Sequence, residues 1–305
     1  MFYDGGFEML NEIIGKKKYE ELKNVLIELN DIPYAIVKGE ALSLQGYGKC
    51  GMRKSGDIDI LVPKRYLALV NKILNQYGFF TGDENTIFQR RNELLFLSTS
   101  HQLKPYKKIT TWGEVEIDIN FDIYWGYFLD ERIDMNDFLS KPNIVNIYGN
   151  YVKVLDPIKS MIQLILHHYR EMNSIYHLIN FNSIKTSMFL DIYCLLKNNV
   201  DDISVNSLCL ICRKMNIVPY AFYIFYYTKK CFNDDILNTY IEHLSTPDGI
   251  RLLSKYGLKD DEKKEWKIDF KIRLDSNNLS QYLIPELSFN DINRLKINNE
   301  ICEVR

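Results

Sequence analysis

An α+β chain is predicted, with a mixed sheet flanked by helices in its first half and a mostly helical second half. Three observations carry that prediction. Strand-like and helix-like patterns alternate up to about residue 154, the pattern of a helix-flanked sheet. From Pro157 onward the apolar residues recur at helical spacing, with three to four residues per turn. The composition, 46% hydrophobic and 26% charged over 305 residues, is that of a globular chain, long enough for two domains. The expected boundary divides 1–154 from 155–305.

The elements follow in order. Residues 18–30 place Tyr19, Leu22, Val25, Leu26 and Leu29 on one helical face, and Pro33 stops that helix because proline cannot continue it. Tyr34-Ala35-Ile36-Val37 reads as a buried strand leading into Lys38-Gly39. Glu40 to Leu44 favours a short helix, closed by the glycine-bearing loop from Gly46 to Gly51. Ile58, Ile60 and Val62 alternate with Asp57, Asp59 and Leu61, a strand that Pro63 ends. Tyr66 to Tyr77 then form an amphipathic helix with Gly78 at its C-terminal end, where glycine is the usual stop. Strands are expected at 87–90 and 94–97. The run from Glu114 to Ile123 has the clearest period of two, with Val115, Ile117, Ile119 and Phe121 on one side and Glu116, Asp118, Asn120 and Asp122 on the other. Pro157 suits the first turn of a helix, and helices are expected at 184–196, 205–215 and 219–229. The stretch from 155 to about 260 reads as wholly helical, and 266–272 as a strand in a weakly patterned tail.

Charge and cysteine usage narrow the function classes. A net charge of -2 and a pI of about 6.2 leave no global positive field, so long nucleic acid is not the expected partner. Six scattered cysteines, at 50, 194, 209, 212, 231 and 302, read as reduced thiols of a cytoplasmic protein. Cys209 and Cys212 have CxxC spacing, but they sit in an apolar helical run without a second pair, which favours buried thiols over a metal or redox centre. The N-terminus has no basic and apolar leader pattern. The longest apolar stretches fall short of the roughly 18–20 residues of a membrane span, so no membrane is expected. His167 and His168 are adjacent on a helix, about 100° apart, and are not expected to share an ion easily. Tyr220 to Tyr227 read as helical core ahead of any base-stacking platform.

The acidic residues carry the chemistry. Asp57 and Asp59 lie two apart on a strand, so their carboxylates share a face and can share a divalent ion. Magnesium prefers such oxygen ligands together with substrate phosphates, and a pair of ions about 3.5–4 Å apart can clamp both oxygens of a phosphoryl or nucleotidyl displacement. Asp118, on the acidic face of the 114–123 strand, is the candidate third carboxylate. A solvated strand face would show the same alternation.

Context adds to the pair. The run Ile36-Val37-Lys38-Gly39-Glu40-Ala41-Leu42-Ser43-Leu44, a loop with Tyr47, and then Met52-Arg53-Lys54-Ser55-Gly56-Asp57-Ile58-Asp59-Ile60-Leu61-Val62 resembles the fingerprint of the polymerase-beta-like nucleotidyltransferases. It is most similar to a bacterial nucleotidyltransferase family with a Lys-Gly-x-Ala element and an Asp-x-Asp-Leu-Leu-Val strand. Val115-Glu116-Ile117-Asp118, Val154-Leu155-Asp156-Pro157, the helix with His167 and Leu190-Asp191-Ile192 extend the resemblance over roughly residues 30–195. It implies a mixed nucleotidyltransferase sheet, with Asp57, Asp59 and Asp118 binding two Mg2+ ions, or Mn2+ in their place, together with an NTP. It also implies phosphate contacts at Lys38, Gly39, Arg53 and Ser55, for which ordinary surface cations at Lys38 and Arg53 are the competing reading. Two positions depart from the pattern: Glu40 stands where serine or glycine is usual, and Asn120 where histidine is usual.

The activity so implied is transfer of a nucleoside monophosphate from an NTP, ATP foremost, to a hydroxyl, phosphate or amine of a small-molecule acceptor, with Asp118 as general base and the helical half shaping the acceptor pocket. The alternatives are nucleotidylation of a protein or peptide side chain and a nucleotide-binding module without catalysis. An RNA acceptor would call for a basic stripe, and the sequence has none.

Overall fold

The computed structural model describes residues 5–81, 100–126, 128 and 132–303, and the strands expected at 87–90 and 94–97 lie outside the described residues. The chain divides into two compact units. One comprises Met1–Gly126, Arg132–Met161 and Cys194–Asp202, and the other Tyr127–Glu131, Ile162–Tyr193 and Ile203–Arg305.

The first unit is built on a six-stranded mixed sheet. Helix α1 (Gly5–Leu29) leads to β1 (Ala35–Val37), α2 (Gly39–Tyr47), β2 (Ile58–Leu61) and α3 (Leu67–Gln76). Then come β3 (Tyr106–Thr110), β4 (Gly113–Asn120), the short α4 (Met135–Phe138), and the hairpin of β5 (Asn143–Ile147) and β6 (Asn150–Val154). The strand order is β3-β4-β2-β1-β6-β5. Strand β1 runs antiparallel to β2 and parallel to β6, while β2 and β4 are parallel. A parallel neighbour needs a crossover, and the segment containing α3 supplies it between β2 and β4.

Alternation decides which face is which. Ile58 and Ile60 join Val115, Ile117 and Ile119 in one core with Tyr19, Leu22, Val25, Leu26 and Leu29 of α1 and Val70, Ile73 and Leu74 of α3. Fully burying a side chain of this kind is worth roughly 1.5–3 kcal/mol, so this stripe fixes the strand register. The opposite face then carries Asp59, Asp118 and Asn120.

Three expectations need amending in this unit. Helix α1 begins at Gly5, well ahead of residue 18, because Met9, Leu10 and Ile13 are exposed and leave no buried stripe to read. Strand β4 ends at Asn120, since the Phe121 and Asp122 amides turn to the His101 carbonyl. The β5–β6 hairpin was not legible. Its strands are polar and half-exposed, and its turn places Tyr148 and Gly149 at φ 50° and 87°, the paired positive values of a tight hairpin turn.

Among the described residues the second unit is helical apart from one small hairpin. Helix α5 (Pro157–Asn173) enters it, and α6 (Ile175–Phe181), α7 (Thr186–Asn198, its end from Cys194 counted with the first unit), α8 (Val205–Lys214) and α9 (Val218–Phe232) follow. Lys255–Tyr256 pairs with Lys264–Glu265. The strand expected at 266–272 does not form, and Phe270–Asp275 is instead a helix. Phe270 and Arg273, one helical turn apart, both pack on the Tyr227 ring, which an extended chain could not arrange on one side. Tyr223 lies between the rings of Tyr169 and Tyr227, so the tyrosine-rich helix is core. Cys209 and Cys212 are buried free thiols, and burial pushes both away from the thiolate form. Among the described residues no helix is long and apolar enough to cross a membrane.

Candidate active site

Strand register assembles the carboxylates. Asp59 of β2 stands directly opposite Asp118 of the parallel strand β4, and Asp57 precedes β2 on the same side of the chain's alternation. Asp59 and Asp118 are 3% and 8% exposed, whereas Asp57 is half-buried at the edge. The acidic face is thus not a solvated one.

Burying neighbouring carboxylates is costly, and the site shows how the cost is met. The Asp59 Oδ1 atom accepts from Lys38 Nζ at 2.6 Å and from Asn120 Nδ2 at 3.2 Å. Burial still raises the Asp59 pKa, Lys38 opposes it, and Asp57 adds to it. Asp118 Oδ2 accepts from Gln102 Nε2 at 3.3 Å, while its Oδ1 is buried without a hydrogen bond. Burial first, then the charges of Asp59 and Asp57, push Asp118 up to about 7. A carboxylate oxygen without a donor, beside two more acids, fits a divalent cation.

Lys38 and Gly39 form the turn between β1 and α2. Lys38 has φ 53° and ψ -144°, a backbone region that side chains rarely adopt and that tends to mark functional sites. Gly39, at φ 36°, lies so close to Ser55 that a Cβ would stand 3.1 Å from its Oγ. Ser55 Oγ in turn donates to the Asp57 carbonyl at 2.6 Å. Gly39, Ser55 and Asp57 are therefore one packed unit, and the Ser55 proton serves the loop. Arg53, Ser55, Gly39, Asp57 and Asp59 line a common pocket of about 530 Å³, its open mouth included.

The two departures from the family pattern have structural explanations. The Glu40 carboxylate is buried at the wall of the same pocket, accepting from the Gly51 amide at 2.8 Å and the Tyr148 hydroxyl at 3.0 Å. Burial raises its pKa, and Lys18 and Arg53 are among the groups opposing that. Asn120 supports Asp59 and also donates to the Asp118 carbonyl at 3.4 Å. Sequence reasoning missed these supporting roles, and it missed Gln102 and Lys18. Only Asn120 had a visible signal, its place on the acidic side of β4.

His167 and His168 converge more than adjacent helical positions suggest. Ligand atoms of His167, His168 and Glu171 all lie within 4.8 Å of one another, because the imidazoles reach beyond the 100° separation of their Cα–Cβ bonds. His167 Nε2 is 3.3 Å from Glu171 Oε1, and Arg170 Nη2 is 3.3 Å from His167 Nδ1. Guanidinium only donates, so Nδ1 accepts and Nε2 carries the proton toward Glu171. That assignment follows from the hydrogen-bond network, and it links Arg170, His167 and Glu171 in one chain.

Comparison with known proteins bears on the site. The family model described as uncharacterised nucleotidyltransferase matches residues 14–233, a span that contains Lys38, the three acids and the His167 helix. No curated protein matches the chain. Among solved structures, an antigenic nucleotidyltransferase-like protein from Paracoccidioides brasiliensis is similar at 17% identity, over 61% of this chain and 75% of that one, with a TM-score of 0.33. At that distance the neighbour has no bearing on the chemistry.

Proposed function

Because this chain belongs to the uncharacterised nucleotidyltransferase family, we propose that it transfers a nucleoside monophosphate from an NTP, with ATP the foremost donor, to a hydroxyl, phosphate or amine of a small-molecule acceptor. Pyrophosphate is the leaving group. The observation that carries this reading is the parallel register of Asp59 against Asp118, with Asp57 two residues before Asp59. Asp57, Asp59 and Asp118 would hold two Mg2+ ions, for which Mn2+ can substitute. Bound there, the ions supply charge neutralisation for the nucleotide phosphates and the departing pyrophosphate.

The chain's own residues do the rest. Asp118 takes the general-base role. Its carboxylate accepts the proton of the acceptor's nucleophile as the new bond to the α-phosphorus forms and the bond to the bridging oxygen breaks. Asn120 and Lys38 hold Asp59 in place. Gly39, without a Cβ, lets backbone approach the phosphates, and Arg53, which lines the pocket, and Lys38 are the cations read as phosphate contacts.

The experiment is incubation with α-labelled NTPs, magnesium and a panel of acceptors, comparing wild type with Asp57→Ala/Asp59→Ala. Label on a small acceptor in wild type alone is the expected result. Label retained on a protein would redirect the reading to protein modification. Absence of label transfer, with NTP binding equal in both proteins, would refute catalysis at these acids.

A further inference from the structure

Lys18 of α1 reaches the active-site loop. Its amine donates to the Ser55 carbonyl at 3.1 Å and the Gly56 carbonyl at 2.6 Å, the two residues directly before Asp57. The side chain is 7% exposed. Burial disfavours its charged form, and Asp57 and then Glu40 counter that. Resting on the metal-site reading above, we propose that Lys18 is a positioning residue, a buried strut that fixes the Ser55–Gly56 backbone and so aims the Asp57 carboxylate into the metal and nucleotide site.

Other bonds hold the loop on either side, from the Gly51 amide to Glu40, from the Met52 amide to Ser43 Oγ and from Ser55 Oγ to the Asp57 carbonyl, and Lys18 ties the Ser55 and Gly56 carbonyls to α1. Residues 51–57 have no regular structure, and a Cβ on Gly56 would meet nothing within 4 Å. Ordering free residues costs conformational entropy, and two hydrogen bonds from one buried amine limit that freedom where Asp57 needs it.

Charge and position predict opposite effects on metal binding. An ammonium beside Asp57 competes with a cation, so if Lys18 acted only as a charge its removal would tighten binding. If it acts as a strut, removal loosens Asp57 and weakens binding.

The test uses the full chain and Mn2+ alone, titrated by electron paramagnetic resonance, with thermal melts in EDTA. Lys18→Met, checked as folded by its EDTA melt, is expected to bind Mn2+ about tenfold more weakly, the scale seen when a residue supporting a metal ligand is removed. Lys18→Gln keeps two N–H donors without the charge and is expected to recover part of the loss. It decides the matter by the same readout if the methionine variant does not fold. Equal or tighter Mn2+ binding by the variant, in a background where wild type binds, overturns the strut alone. A wild type that binds no Mn2+ overturns the metal-site reading, and the strut with it.

Discussion

Asp118 sets the pH behaviour of the site. Its folded-state pKa is pushed up to about 7 by burial and then by Asp59 and Asp57, against about 3.9 in an unfolded chain. Between those values the folded protein binds more protons than the unfolded one, so stability without metal falls as pH rises through that window and levels off above it. The melting temperature in EDTA is expected to drop between about pH 5 and pH 8, and Asp118→Asn to flatten the drop; a flat wild-type profile would contradict the assignment. Magnesium should stabilise more at the upper end of that range. Lys38 offers a second check. Removing it leaves the buried Asp59 without its cation, so Lys38→Met is expected to lose about 3–5 kcal/mol in urea unfolding with EDTA present; a loss near zero would mean the pair is not formed in solution. Asp57, Asp59 and Asp118 were legible because a strand repeats every two residues. Asn120, Gln102 and Lys18 were not, since their partners are set by tertiary register and by a helix far away in sequence.

Among the elements, α1 is the instructive one. Its central Gly15 lies against Tyr148 and Glu40, where a Cβ would come within 2.6 Å of the Tyr148 ring and 2.7 Å of the Glu40 carboxylate. Helix propensity alone says Gly15→Ala should stabilise by up to about 1 kcal/mol. Packing says the opposite, because α1 or the Glu40–Tyr148 pair must move, at a typical cost of about 1–3 kcal/mol. Chemical unfolding should therefore show a net loss, and a net gain would mean that α1 does not seat on Glu40 as described. Elements with one buried face, such as β2, β4 and α3, were readable from their period. The β5–β6 hairpin and the first turns of α1 were not, because exposed or polar faces carry no period. Residues 266–272 misled for a related reason: alternating lysines and apolar residues fit a short strand as well as a helix whose Phe270 and Arg273 pack on Tyr227.

At the scale of the whole molecule, the family match over residues 14–233 covers most of the sheet-bearing unit and reaches into the helical one. The sheet and the placement of its acids were legible because one face of each strand is buried and the other carries the carboxylates. The helical unit was legible only as packing, and its His167–Glu171 group came from side-chain geometry. Asp118 on β4, Asp59 on β2 and Asp57 just before β2 are proposed to make a divalent-ion site for an NTP. Calorimetric titration with a non-hydrolysable NTP, with and without magnesium, tests this on wild type and on Asp59→Asn/Asp118→Asn. Magnesium-dependent binding is expected in wild type and its loss in a folded double variant; binding that ignores magnesium, or that survives the double substitution unchanged, would rule the site out.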